Sequence, residues 1–537
     1  MQQPTGRKPD PPADPGPAAE APPRATVVAT LAGALPEGAG ERRDALAEVR
    51  RHAEVLEVRA DAVGDLDPAE LRAGFSGRLL YTLRSRAEGG DWDGSDDRRR
   101  ERLVRAAEAY DFVDLEAERD AVPEVLERVP AERRIVSWHG PTGDLVELEE
   151  RFARLAAVPA RLYKMVVLAT RPGEEVGIVD LAGAMRRDDL VAFAAGRAAA
   201  WTRFVAPRLG ARVVFGSAAA GAEGAAGQLT VEELARDFGL PELPPLERLF
   251  GIAGDRVLGV SLSPRLHNGA YRALGIPAAY LPFETDAFGD FWLEVVESGI
   301  FDRVGMPLGG LSVTAPHKRA ALAVAGAVSP LAECVGAANT LTCTGGVWEA
   351  ESTDPRGVLG PLEARGIAPA GRRAAVVGCG GAGRAAAFTL DRSGAEVTLV
   401  NRGEARGRAA GERLGLPFVP LSDFRPGGHD LVVQATSLGR SDDDPPAFAV
   451  DELPAGAVVV DLVYRPAGPT PLVAAARARG LAAVDGREVL LHQAIDQLRA
   501  MTGGEMPAEL GARLLGLADG EGPAPDGDGR EDGAGGR

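Results

Sequence analysis

A lysine set inside an apolar run, Tyr163-Lys164-Met165, is the side chain with the clearest chemical potential in this sequence. An ammonium buried in a strand is costly to keep charged, so its pKa falls and the free amine becomes a nucleophile suited to imine chemistry. The preceding apolar run ends Ser137-Trp138-His139 and offers an imidazole for proton transfer, with Glu57 or Glu116 available to hold the ring. Arginines close to these groups, Arg59 and Arg84 among them, imply an anionic substrate, most simply a carboxylate. Further along the chain Ser261 and Ser263 stand one residue apart in a loop, where both hydroxyls can point at one small anion. Lys318 and Asp354 suit proton transfer, since each biases the charge state of the other. These hydroxyls, the Asn339 amide, the lysine and the carboxylate form a set without metal ligands, of the kind that hydride transfer to a polyhydroxylated acid would use.

The stretch that follows supplies the reason to think of hydride. An apolar run over 374–377 leads into Gly378-Cys379-Gly380-Gly381-Ala382-Gly383-Arg384, then an alanine-rich helix and a second apolar strand ending in Asn401-Arg402. In a G-x-G-x-x-G turn the first glycine makes the tight bend, the second lets backbone approach a pyrophosphate, and the third packs helix on strand. The helix N-terminus then offers free N–H groups to the phosphates. A carboxylate at the end of the second strand would grip a ribose 2′-hydroxyl; Asn401, Arg402 and Arg406 stand there instead, which argues for NADP over NAD. Gly378, Gly380, Gly381, Ala382 and Gly383 complete the expected cofactor site.

The lysine and histidine need a scaffold that brings strand ends together. Short apolar strands expected over 26–31, 55–59, 79–83, 112–116, 134–138, 162–168, 190–194 and 213–215 alternate with amphipathic helices. That pattern predicts a (β/α)8 barrel, with a doubly wound open sheet as the alternative, and places the chemistry at the C-terminal strand ends. Pro-Glu-Leu-Pro-Pro at 241–245 reads as a stiff linker. The expected organisation is a barrel over 25–240, a substrate-binding domain over 246–355, a Rossmann domain over 356–485 and a returning C-terminal segment over 486–516. A Pro/Ala-rich arm over 1–24 and a Gly/Asp/Pro tail over 517–537 are expected to be disordered.

Across the 537 residues the formal charge of −18 argues against nucleic acid or an anionic membrane as partner. The cysteines, Cys334, Cys343 and Cys379, lack metal spacing and suit a reducing compartment, and no apolar run approaches a membrane span. The expectation is a cytoplasmic protein whose partners are small molecules, with no metal and an undetermined oligomeric state.

At this point the motifs resemble known families. Glu57-x-Arg59-x-Asp61, Arg84-Ser85-x-x-Glu88-Gly89-Gly90, Asp114-Leu115-Glu116, Ser137-Trp138-His139, Lys164, Thr202-Arg203 and Ala226-Gly227-Gln228 resemble type I 3-dehydroquinate dehydratase. That resemblance implies imine formation on Lys164, acid/base work by His139 oriented by Glu116, and substrate contacts from Glu57, Arg59, Arg84, Arg203 and Gln228. It departs at 224–228, where Gly-Ala-Ala-Gly-Gln replaces the usual Ser-Ala-Pro-Gly-Gln. The second half resembles shikimate dehydrogenase through Ser261-Leu262-Ser263-Pro264, Ser312-Val313-Thr314-Ala315-Pro316-His317-Lys318, Gly336-Ala337-Ala338-Asn339-Thr340 and Ser352-Thr353-Asp354. Here the resemblance implies carboxylate binding by Ser261 and Ser263 and hydroxyl binding by Thr314, Asn339 and Gln493. Lys318 and Asp354 would be the catalytic pair, with Tyr464 close to the substrate. Ser312, Ser352 and Pro355 depart from the usual Asn, Asn and Gly. The two resemblances follow one another in the order of fused plant enzymes and imply dehydration of 3-dehydroquinate followed by NADPH-dependent reduction of 3-dehydroshikimate to shikimate. A quinate/shikimate dehydrogenase with a weak or inactive dehydratase half, and a non-catalytic metabolite sensor, are the alternatives.

Overall fold

The computed structural model describes residues 22–441, 443–466 and 468–517. Most of the arm and tail expected to be disordered lies outside these residues. The end of that arm is structured: Arg24 bridges to Glu242, and the Ala25 N–H donates to the Pro241 carbonyl at 2.8 Å. Leu517 likewise closes the last helix through its N–H on the Ala512 carbonyl at 2.8 Å.

Eight parallel strands form the first sheet, in the order β7-β6-β5-β4-β3-β2-β1-β8. They are β1 (Thr26–Leu31), β2 (Val55–Arg59), β3 (Arg78–Thr82), β4 (Phe112–Glu116), β5 (Arg134–Gly140), β6 (Leu162–Leu168), β7 (Leu190–Ala195) and β8 (Val213–Ser217). Because β8 returns to pair with β1, the sheet curls into a near-closed barrel and not an open doubly wound sheet. Strands covered by helices outside and side chains inside are buried on both faces, which is why β6 and β7 read as almost unbroken apolar runs. Capping boxes start two of the outer helices, Asp144 with Glu147 before Leu145–Ala156 and Thr230 with Glu233 before Val231–Phe238.

The proline-rich stretch after the barrel is docked and is no free spacer. Leu243 is buried, its N–H donates to the Pro23 carbonyl at 2.7 Å, and Arg208 donates to the Pro244 carbonyl at 2.7 Å.

Beyond it lies a mixed sheet, β10-β9-β11-β13-β14-β12. Its strands are β9 (Arg248–Gly254), β10 (Ala278–Glu284), β11 (Leu308–Val313), β12 (Ala327–Val328), β13 (Thr340–Thr344) and β14 (Val347–Glu351). The last sheet is all parallel, in the order β17-β16-β15-β18-β19-β20. It comprises β15 (Arg373–Val377), β16 (Glu396–Asn401), β17 (Phe418–Pro420), β18 (Leu431–Gln434), β19 (Val458–Asp461) and β20 (Ala482–Val484). Numbered from β15, this is the 3-2-1-4-5-6 order of a dinucleotide fold, with its crevice outside the C-terminal ends of β15 and β18. The capping box of Asp485 and Glu488 then starts helix Gly486–Thr502, which carries Leu490, Leu491, Ala494 and Leu498 back against Phe250 and Ile252 of the mixed sheet.

Barrel and mixed sheet share one apolar core. Trp201 of the barrel is fully buried against Phe283 and Phe301, at ring-centroid distances of 6.0 and 5.1 Å. Arg303 pairs with Asp180 across the same junction, both contacts at 2.9 Å. Among the described residues no helix is long and apolar enough to cross a membrane.

Candidate active sites

Strand register brings the polar ends of the barrel strands to one mouth. Glu57 of β2 accepts from Thr30 at 2.7 Å and Thr82 at 2.9 Å, and its Oε1 lies 3.6 Å from Lys164 Nζ. Gln228 donates to Thr30 Oγ1 at 3.0 Å, so amide, hydroxyl, carboxylate and amine form one chain. Lys164 is buried with its Nζ 4.1 Å from the centre of the Phe215 ring. Burial lowers its pKa from the ordinary lysine value; Glu57 and Asp114 oppose that, while Arg84 and Arg59 reinforce it. Burial works to raise the Glu57 pKa, but Lys164 and Arg59 with the Thr30 and Thr82 hydroxyls outweigh it and hold the carboxyl below its usual range.

His139 follows at the end of β5. Its Nδ1 lies 3.0 Å from Glu88 Oε2, and its backbone N–H donates to the same oxygen at 3.0 Å. Burial pushes the imidazole well below its ordinary pKa, helped by Arg84, Lys164, Arg59 and Arg203, so the ring is neutral at physiological pH. Burial also pushes the Glu88 carboxyl up to about 8, with Arg84 opposing and Glu116 and Asp114 adding repulsion. This corrects the expectation that Glu116 orients His139. Glu116 is turned the other way, accepting from the Ser85 N–H at 2.8 Å, the Ser85 hydroxyl at 2.7 Å and Arg84 at 3.2 Å, with Arg99 at 3.3 Å. Its acceptor sites are filled by donors from the loop after β3, and the turn Arg86–Glu88 lifts Glu88 to the histidine instead.

The arginines divide into held and unheld groups. Arg84 is fixed by Asp114 at 2.9 Å, Glu88 at 3.1 Å and Ser137 at 3.0 Å. Arg59 pairs with Asp61 at 2.7 Å and donates to the Gly224 carbonyl at 2.7 Å, so the loop that lacks the usual serine is tied down through its backbone. Space matters there: a side chain on Gly224 would bring its Cβ to 2.4 Å from Thr30 Cγ2. Arg203 is buried over the Phe193 ring at 4.5 Å, and its Nε and Nη2 have no hydrogen-bond partner among the described residues. A buried cation with unfilled donors, close enough to Glu57 and His139 for their charges to interact, is a place for a carboxylate.

The second site lies between the mixed and parallel sheets, in a cleft of about 1740 Å³ lined by Ser261, Ser263, Ser312, Thr314, Lys318, Asn339, Asp354, Tyr464 and Gln493. Lys318 Nζ is 2.7 Å from both oxygens of the buried Asp354, whose Oδ1 also accepts from Gln493 at 2.9 Å and Asn339 at 3.1 Å. Asn339 is fixed in turn, its Oδ1 accepting from the Thr353 N–H at 2.8 Å. Ser261 Oγ accepts from the Ser263 N–H at 3.2 Å, bringing both serines to one end of the cleft. Ser312, which stands at the position of the usual asparagine, accepts from Tyr280 at 2.6 Å. His267 stacks on Tyr280 at 4.2 Å and His317 bonds the Thr285 carbonyl at 2.8 Å, so both belong to the framework.

The other end of the same cleft is lined by Gly378, Gly380, Gly381, Ala382, Asn401, Arg402 and Arg406. Gly378 has φ of 112°, which only glycine adopts freely, and a Cβ on Gly383 would sit 1.9 Å from the Gly378 carbonyl oxygen. At Gly380 a Cβ would meet nothing within 4 Å, leaving open space at the N-terminus of helix Gly381–Arg392, which has no side-chain cap. Asn401 Oδ1 accepts from the Cys379 N–H at 3.2 Å and braces the turn. Arg402 and Arg406 are exposed and make no hydrogen bond or ion pair among the described residues. These features fit a dinucleotide carrying a 2′-phosphate.

Glu88, Asp114, Thr30 and Thr82 were missed as site residues by sequence reasoning, although Glu88 stands four residues after Arg84 in the quoted motif, a spacing compatible with one turn. The family described as type I 3-dehydroquinase matches residues 37–240, and the shikimate dehydrogenase substrate binding domain matches residues 252–341. The shikimate dehydrogenase (NADP(+)) of Acidiphilium cryptum is 42% identical over 263 residues, covering 48% of this chain and 91% of that protein. The chloroplastic bifunctional 3-dehydroquinate dehydratase/shikimate dehydrogenase of Arabidopsis thaliana is 27% identical over 496 residues, 85% of this chain and 79% of that protein. Among solved structures, the dehydroquinate dehydratase and shikimate dehydrogenase of S. pombe covers 92% of this chain and 98% of that chain, at 23% identity and a TM-score of 0.41. The chain belongs to the shikimate dehydrogenase family and carries a type I 3-dehydroquinase domain ahead of it.

Proposed function

We propose that the barrel converts 3-dehydroquinate to 3-dehydroshikimate through an imine on Lys164, and that the second half reduces that product to shikimate with NADPH. The observation that carries the reading is the pair of assembled lysine sites in one chain, Lys164 beside Glu57 and His139, and Lys318 on Asp354. In the barrel the free Lys164 amine adds to the substrate ketone, and loss of water gives the imine. The imine withdraws electrons from the neighbouring carbon, His139 takes the proton there, and the leaving hydroxyl departs as water once protonated. Hydrolysis of the imine then frees the product and the amine. Arg203 is the support for the substrate carboxylate, because its donors are unfilled; Arg59, Arg84, Glu57 and Gln228 frame the rest.

In the second half Ser261 and Ser263 would hold the carboxylate, and Thr314, Asn339 and Gln493 the hydroxyls, with Tyr464 as a wall. Lys318 passes a proton to or from the reacting oxygen, and Asp354 holds its ammonium in place. Gly378 to Gly383, Asn401, Arg402 and Arg406 would hold NADP, which supplies the hydride transfer when bound. The chain divides into barrel, substrate-binding and dinucleotide domains, with the helix from Gly486 returning to the second. The three free cysteines support a reducing compartment, and a cytoplasmic setting is the reading proposed from them.

Purified protein given dehydroquinate and NADPH should oxidise NADPH. Lys164→Ala should stop that flux and leave NADP reduction by shikimate intact, whereas Lys318→Ala should abolish shikimate oxidation and spare dehydration. Absence of either wild-type half-reaction would remove that half of the reading.

A further inference from the structure

We propose that Arg197, a barrel residue outside both sets of reacting groups, is a positioning residue for the dehydrogenase, fixing the turn that presents Ser261 and Ser263. This rests on the dehydrogenase reading given above.

Arg197 follows Gly196 at the end of β7, on the face of the barrel turned toward the mixed sheet. Its guanidinium forks onto Glu284, the last residue of β10: Nε donates to Oε1 and Nη2 to Oε2 at 2.8 Å. The same Nη2 reaches the Leu258 carbonyl at 3.4 Å. Glu284 is only 9% exposed, and its Oε2 also accepts from the backbone N–H groups of Val257 at 3.2 Å and Leu258 at 3.1 Å. From there the connection runs to the cleft through backbone: the Val257 carbonyl accepts from the Ser261 N–H at 3.1 Å, and Ser261 Oγ accepts from the Ser263 N–H at 3.2 Å. Each link is a hydrogen bond, so the guanidinium sets the carboxylate, the carboxylate sets the turn, and the turn sets the hydroxyls.

The barrel supports this turn from a second side. Gly259 has φ of 71°, and Leu229 lies alongside it, its Cδ2 at an ordinary contact distance of 3.5 Å from where a Cβ would stand. Leu229 directly follows Gln228 of the barrel mouth, and the Gly196 N–H donates to the Ala226 carbonyl at 3.2 Å in the same segment. Without Arg197, Glu284 is left as a nearly buried carboxylate with only two backbone donors, and the bidentate fork that fixes its plane is gone. The arginine side chain itself is 49% exposed, so its removal opens no cavity in the core.

The test uses the full chain and shikimate oxidation with NADP. Wild-type protein must first turn over; failure there would sink the functional reading and leave the question of Arg197 behind it. Arg197→Ala is expected to raise the KM for shikimate about tenfold, the scale of one lost charge-assisted bond. A loss confined to uniform substrate binding leaves kcat, and here also the KM for NADP, changed by less than about twofold. Arg197→Lys should recover part of the shikimate KM. Glu284→Gln should reproduce the defect, and the double variant should be no worse than Arg197→Ala alone, because both changes break one link. An unchanged shikimate KM in Arg197→Ala and Glu284→Gln would overturn the proposal. So would a fall in kcat and in NADP binding that tracks a lowered melting temperature, since that is the signature of general loosening.

Discussion

At the scale of single residues, the barrel site works because burial and charge push its groups in different directions. Lys164 is held below the ordinary lysine pKa by burial, and only the deprotonated amine can attack a ketone. Trapping of the dehydroquinate adduct by borohydride should therefore rise with pH and reach half its maximum below about 10.4, the ordinary lysine value. The modified peptide should be the one carrying Lys164; a half-maximum at the ordinary value would remove the lowered pKa. Glu88, not Glu116, is the partner of His139, and the two carboxylates should separate in mutagenesis. Glu88→Ala should lower the dehydratase kcat by about 10²-fold, the lower end of what a positioned acid/base contributes. Combining it with His139→Ala should add nothing, because the side chain acts through the ring. Additive losses, measured in the double variant, would mean that Glu88 has an independent role.

The turn between β15 and helix Gly381–Arg392 carries the cofactor argument at the scale of elements. Its geometry is set by backbone: Gly378 bends it, Gly383 lets the helix lie on it, and Gly380 leaves room at the helix end. Specificity is left to the end of β16, where Arg402 stands exposed without an ion-pair partner among the described residues. Arg402→Ala should weaken NADP by about one to two decades, as loss of a charge-assisted phosphate contact does, while NAD changes little. Paired KM values for the two cofactors decide it, since equal losses would make Arg402 a support of the strand.

Taken as a whole molecule, the chain is two catalytic units on a shared core. Trp201 fills the junction with Phe283 and Phe301, and the proline-rich connection is hydrogen-bonded down and cannot act as a tether of variable length. Trp201→Ala should cost about 3–5 kcal/mol, the range for a large aromatic truncated in a core. Denaturant unfolding followed separately by the two activities should then resolve into two transitions where the parent shows them coincident. Coincident transitions in the variant would show that the two halves are held together by other contacts.

Sequence by itself determined the chemistry and most of the framework. The eight barrel strands fall within a few residues of their apolar runs, because parallel strands covered on both faces are largely apolar outside the site. The glycine turn was legible for a related reason: backbone geometry restricts residue type locally, so Gly378 and Gly383 declare themselves without any knowledge of the fold. Lys164 was legible because an ammonium inside an apolar strand is anomalous in one dimension. What only the tertiary structure decided is which groups pair. Glu88 and Glu116 are both acidic residues near strand ends, and nothing in their spacing tells which carboxylate meets an imidazole more than twenty residues away. The choice depends on Ser85, Arg84 and Arg99 filling Glu116 first. Arg197 and Glu284 lie in different halves of the sequence, and their pairing exists only because the barrel docks on the mixed sheet. Local patterns fix what a residue can do; long-range packing fixes the partner with which it does it.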